Sequence, residues 1–189
     1  MNSQHPVDLL MADHRLIEKV LDALDARLAA AQPDAFPAGF VGEALDFLTH
    51  FADGCHHYCE EEALFPALSA QGIPVEGGPI GMMLHEHAIG RKCIAGMREN
   101  LSAASSGDAE AQQRLCRYAS EYAGLLRSHI WKEDNILFQM ARRALSNETS
   151  QALAAQFNDE ANPRVNAGVR ARYAAFAYSL EPRASGQST

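Results

Sequence analysis

Two stretches of this chain repeat one pattern of residues able to bind metal. The first is Cys55-His56-His57-Tyr58-Cys59-Glu60-Glu61-Glu62-Ala63-Leu64-Phe65-Pro66, and the second is His129-Ile130-Trp131-Lys132-Glu133-Asp134-Asn135-Ile136-Leu137-Phe138. With Leu64-Phe65 laid over Leu137-Phe138, both read His-x-x-x-Glu-acid-x-x-Leu-Phe. Residues four apart on a helix share a face about one turn apart. Each copy therefore offers one imidazole and one carboxylate in the same direction. Two such helices, face to face, can hold two metal ions with carboxylates between them.

Helices must carry these pairs, and the apolar spacing supplies them. Leu10, Ile17, Leu21, Leu24 and Leu28 recur at helical intervals, so residues 7–31 read as a first helix, stopped by Pro33. A second helix is expected over 40–70, with Leu45, Leu48, Ala52, Cys55, Cys59 and Ala63 on its apolar face and a bend at Pro66. Pro79 opens a third helix to about 104, and Asp108 caps a fourth that runs to about 145. Nothing alternates with a period of two. The expected fold is all-α, an up-down-up-down four-helix bundle over 1–145. Residues 146–180 read as extra helices packed on the bundle, and 181–189 as a loose polar tail.

The bundle interior decides which polar residues are candidates. His14 lies in the row of Leu10, Ile17 and Leu21. On the second helix, His56 and Glu60 flank Ala52, Cys59 and Ala63, and the repeat selects the same pair. His57 and Glu61, sharing a face with His50 and Asp53, form the alternative pair or a solvated outer face. His87 continues the row of Ile80, Met83 and Leu84, whereas His85 points elsewhere. His129 and Glu133 share the face of Leu125, Leu126, Ile136 and Leu137, with Asp134 the substitute for a rotated helix and Trp131 a packing residue. The candidate metal ligands are His14, His56, Glu60, His87, His129 and Glu133. Buried carboxylates cost several kcal/mol unless paired or metal-bound. No matching set of inward Lys or Arg is visible, so a metal centre is expected to supply the positive charge.

Composition limits the alternatives. A formal net charge of −8 argues against a nucleic-acid binder, which needs a basic face. No apolar run reaches 18 residues, which argues against a membrane span. The four cysteines sit within helical patterns, and Cys55-x-x-x-Cys59 lacks redox or zinc spacing; reduced thiols in the cytoplasm are expected.

Asp13-His14-Arg15, the segment 55–66, Glu86-His87-Ala88-Ile89-Gly90-Arg91 and the segment 129–138 together resemble the hemerythrin-like, or HHE cation-binding, family. The resemblance covers about 7–145. It implies a non-haem di-iron centre of two iron ions in the bundle, with Glu60 and Glu133 bridging; manganese and zinc also accept such ligands. Oxygen-carrying relatives have a second His four residues after the third-helix ligand, where this chain has Arg91. The resemblance thus implies one imidazole fewer on one iron, an open position there, and reactivity with O2, peroxide or NO rather than simple oxygen carriage. Relatives that repair iron–sulfur centres carry an additional N-terminal cysteine domain, so the start of this chain speaks against that role. The expected function is binding or reaction with a small diatomic or peroxide ligand, for sensing, detoxification or storage, by a monomer or homodimer. The alternative is an iron-handling or metal-holding bundle that acts through protein partners. Ferritin-like sites use Glu-x-x-His, and none of the eight histidines has Glu three residues before it.

Overall fold

Pro6 stands in the first turn of α1 (Pro6–Ala29), and the His5 ring accepts from the Val7 N–H at 3.3 Å, so one orphan donor of that turn is satisfied. The structure, a computed structural model, describes residues 5–180. The second rod is continuous from 38 to 70 but changes hydrogen-bond register along its length. It comprises α2 (Ala38–Phe47), a π-helical segment π1 (Leu48–His57), a second segment π2 (Glu60–Leu64) and α3 (Phe65–Ala70). Pro66, where a bend was expected, lies in the first turn of α3, which follows π2 directly. The third rod is α4 (Pro79–Ser105), opened by Pro79. The fourth is α5 (Ala109–Lys132), π3 (Glu133–Leu137) and α6 (Phe138–Ala144), started by Asp108, whose side chain accepts from the Ala111 N–H at 2.9 Å.

The rods form an all-α bundle, and no strand occurs among the described residues. Val7, Leu10, Ile17, Phe47, Phe51, Leu64, Met97, Tyr122 and Phe138 fill its interior and are 3% exposed or less. Each such side chain contributes about 1.5–3 kcal/mol by leaving water. This apolar packing fixes the rods tightly enough to hold charged groups at its centre.

Two further helices follow, α7 (Asn147–Gln156), capped by Ser146, and α8 (Ala167–Ser179), capped by Asn166. α8 lies against the second rod: the Tyr173 ring sits 5.8 Å from that of Phe47 and 5.9 Å from that of Phe51. The tail expected over 181–189 falls outside the described residues. Among the described residues no helix is long and apolar enough to cross a membrane. Trp131, read as a packing residue, is 60% exposed.

Candidate metal centre

The two motif stretches repeat in backbone as well as in sequence. In both, the glutamate opens a π segment: the Phe65 N–H bonds back to Glu60 O, and the Phe138 N–H to Glu133 O. These are i→i+5 bonds, a register that is rare and concentrated at functional sites. A third, from the Tyr58 N–H to Asp53 O, closes π1 beneath the two adjacent histidines. The wider turn reduces the angle between neighbouring side chains. It lets His56 and His57 both face inward, where a regular helix would separate them by about 100°.

The structure brings all six sequence candidates together and adds a seventh. Donor atoms of His14, His56, Glu60 and Glu133 lie within 4.8 Å of one another, as do those of His57, Glu60, His87 and His129. His57, which the sequence placed on a solvated face or as a replacement for His56, is buried and stands beside it. Its ring stacks on His87 at 3.8 Å and 16°. Glu61 is not a member of either group. His85 is exposed, as its position on the helix required.

Glu60 joins the two groups. Its Oε1 is 3.5 Å from His56 Nε2 and its Oε2 is 3.5 Å from His87 Nε2. Glu133 Oε2 lies 3.2 Å from both His14 Nε2 and His129 Nε2. The Nε2 atoms also converge in pairs, His14 with His56 at 3.0 Å and His87 with His129 at 3.1 Å.

The donor set fits a cation. Both oxygens of Glu60, both of Glu133, and Nε2 of His57 are buried without a hydrogen-bond partner. Buried polar atoms are normally satisfied, and an orphaned cluster calls for an explanation such as an ion. Apart from the Tyr122 hydroxyl and Arg170 Nε, the orphans among the described residues belong to the two ligand groups. Imidazole and carboxylate donors suit iron, manganese and zinc.

Behind each imidazole stands a carboxylate facing Nδ1, which directs Nε2 to the centre. Asp134 serves His14 at 2.7 Å, Asp53 serves His57 at 3.3 Å, Glu61 serves His87 at 2.6 Å and Glu86 serves His129 at 2.9 Å. Asp13 lies behind His56 at 3.6 Å. Such partners fix the ring orientation and tautomer of metal-binding histidines. Each carboxylate in turn meets a cation: Arg15 holds Asp134, Lys132 holds Glu86, and Arg170 holds Asp13. Arg91 holds both Asp53 at 2.8 Å and Glu61 at 2.7 Å. Sequence reasoning missed this outer ring. Its legible traces were Asp53, four residues before His57 on the same helical face, and Arg91, one turn after His87 and open to pairing with an acidic group.

Arg91 is therefore not a gap in the donor set. A third imidazole is present in the donor group without it, because the second rod brings His57 beside His87 and His129. Arg91 points outward and braces the carboxylates behind two of those imidazoles.

Charge is shared unevenly inside the centre. Burial and the neighbouring Glu133 hold the Glu60 carboxyl well above the usual range, which favours its protonated form. Burial opposes ionisation of Glu133 too, but His129 and His14 outweigh it and hold that carboxyl low. Burial depresses His56 to about 4 and holds His57 well below its ordinary value. At His129 burial is outweighed by Glu133 and Glu86, which push it up to about 9. A cation needs these donors without protons, so uptake is expected to displace the proton that the raised His129 favours. Affinity is therefore expected to rise with pH from 6.5 to about 9, by about tenfold per pH unit for each proton released. Titration of metal-free protein with zinc across that range, alongside proton release in weak buffer, checks this. An affinity independent of pH would contradict it.

A helical bundle with imidazoles and two shared carboxylates on its axis is a cation-binding bundle. The chain belongs to the hemerythrin family: the hemerythrin HHE cation binding domain matches residues 5–141. It is similar to the iron-sulfur cluster repair protein DnrN of Neisseria gonorrhoeae, 33% identical over 128 residues, which is 66% of this chain and 80% of that protein. It is also similar to the uncharacterized protein Rv1995 of Mycobacterium tuberculosis, 24% identical over 156 residues and 82% of this chain. The chain spans 60% of the length of that mycobacterial relative. No solved structure gives a significant match.

Proposed function

We propose that the seven inward side chains hold two iron ions and that the protein reacts with a small oxidant, O2, peroxide or NO, under redox stress. The observation that carries this reading is Glu60, whose two oxygens face different imidazole groups. A carboxylate so placed makes the groups one two-metal site rather than two separate ones. Iron bound there would supply redox chemistry and positions for an exogenous ligand.

The chain's own residues make the two halves unequal. One half has three imidazoles, from His57, His87 and His129; the other has two, from His14 and His56. Each group has four donor residues, and the half with two imidazoles draws its other donors from Glu60 and Glu133. Phe138 stacks on His14 at 5.4 Å and Phe65 on His87 at 5.9 Å, so an apolar ring shields each half from water. Neither Tyr58 nor Tyr122 hydrogen-bonds to a ligand: Tyr58 Oη accepts from Asn162 and the Tyr122 hydroxyl is buried without a partner.

A second reading, iron handling for a protein partner, is favoured by the similarity to DnrN. The argument from the start of the chain carries no weight against it, because the similarity extends over 80% of that protein. Metal analysis and an optical spectrum of aerobically purified protein test the first reading. Two irons per chain with visible charge-transfer absorption, and oxidant consumption by the reduced protein, are expected. One ion per chain, or zinc alone with no reaction, would sink it. Transfer of iron to a cluster-depleted acceptor, without oxidant turnover, would establish the second reading instead.

A further inference from the structure

We propose that Arg170, on the C-terminal helix α8, is a positioning residue for the half of the centre that contains His14 and His56. Its guanidinium anchors Asp13 behind His56 and so sets how firmly that half holds its ion. The inference rests on the two-ion reading above.

α8 lies beyond the 5–141 segment that matches the family, yet Arg170 reaches into the bundle. Its Nη1 donates to both carboxylate oxygens of Asp13 at 2.6 Å, and its Nη2 approaches Cys59 Sγ at 3.7 Å. The Arg170 side chain is 17% exposed, against 43% for Arg91 and 53% for Arg15 in equivalent roles. Lys132 is intermediate, at 26%. Arg170 is thus the most shielded of the cations behind the ligands, and the Asp13 side chain that it grips is only 7% exposed.

His56 depends on this pair in a way the other imidazoles do not. Each of the other four has a carboxylate oxygen within 3.3 Å of Nδ1. At His56 the distance is 3.6 Å, too long for a good hydrogen bond, and Nδ1 has no partner. Both Asp13 oxygens are engaged by Arg170, so Asp13 acts on His56 as a fixed charge behind the ring. Its orientation comes from the guanidinium. Without that anchor, a lone carboxylate in the interior is uncompensated and must turn toward solvent or admit water. The support for His56 is then lost, while the ring of carboxylates around the other half keeps Arg91 and Lys132.

Stepwise anaerobic titration with ferrous ion tests this in the wild-type chain and in Arg170→Met, Arg170→Lys and Asp13→Asn/Arg170→Met. The His14→Ala variant identifies which step belongs to the His14/His56 half. In Arg170→Met that step is expected to weaken by about 10–100-fold, the usual cost of losing an outer partner of a metal ligand, while the other step stays unchanged. Arg170→Lys, which retains the charge, should recover part of the loss. The double variant leaves no lone buried charge, so it folds even where the single variant does not, and it should show the same selective loss. Wild-type affinity in both steps of either Met variant would overturn the proposal. So would joint loss of both steps, folded or not, since Arg170 would then be only a structural tie. A wild-type chain that takes up fewer than two ions would instead overturn the two-ion reading, and this inference with it.

Discussion

His57→Ala is expected to leave a protein that holds one ion firmly and the other weakly or not at all. His57 is buried, stacks on His87 and has an unpartnered Nε2 among the donors of its group. Its removal takes one of three imidazoles from that half. Loss of an outer partner alone typically weakens a metal by 10–100-fold, so loss of a direct donor should cost at least about 100-fold. The His14/His56 half, which does not contain His57, should keep its ion. His85→Ala is the matched control: His85 is exposed to solvent, and its loss should leave both ions in place. Metal content after gel filtration reads the difference. Full retention of two ions by His57→Ala would return the donor set to the six residues selected by sequence.

The same geometry changes what Arg91→His should do. If Arg91 stood where a fifth imidazole belongs, the substitution would add a donor and prolong an oxygen adduct. Arg91 faces outward and binds Asp53 and Glu61. Histidine there removes the brace behind His57 and His87 and adds nothing to the centre.

The sequence made the fold legible because apolar spacing and punctuation agree along it. Pro79 and Asp108 start helices where they were expected to, and His14, His56, His87 and His129 all lie buried at the axis. His57 escaped because its placement rests on the π register of 48–57, and helical periodicity assumes one angle per residue throughout. An i→i+5 bond beneath His56 and His57 leaves no composition mark of its own. The outer ring escaped for another reason. Its carboxylates lie on different rods from their histidines in most cases, as with Asp134 and His14, 120 residues apart, and Glu61 and His87, 26 apart. Arg170 is more remote still, 157 residues from Asp13. Only tertiary packing reveals such partners. Single-residue reasoning read Arg91 as a departure because its role depends on two acids that the fold brings to it.

Glu60→Met should abolish binding of both ions and, at the same time, raise the stability of the metal-free protein. The loss of binding follows from position: Glu60 belongs to both donor groups and places one oxygen toward each. The gain in stability follows from cost. Neither Glu60 oxygen has a hydrogen-bond partner, and burial together with Glu133 disfavours its charged form. Glu133 is different, because His14 and His129 compensate it at 3.2 Å each. Glu60 is therefore the member of the pair whose presence the metal-free fold does not reward. Replacing a buried polar cluster member by an apolar side chain of similar volume can stabilise by about 1–4 kcal/mol. For a chain of this length each kcal/mol shifts the melting temperature by roughly 2–4 °C. The metal-free Glu60→Met protein should thus melt several degrees above metal-free wild type, yet below metal-loaded wild type if the ions bind the folded state alone. Thermal melts with and without metal, beside metal analysis, read both effects in one series. A Glu60→Met protein that retains two ions would remove Glu60 from its bridging position. One that melts below the metal-free wild type would show that the protonated glutamate makes stabilising contacts in the closed centre.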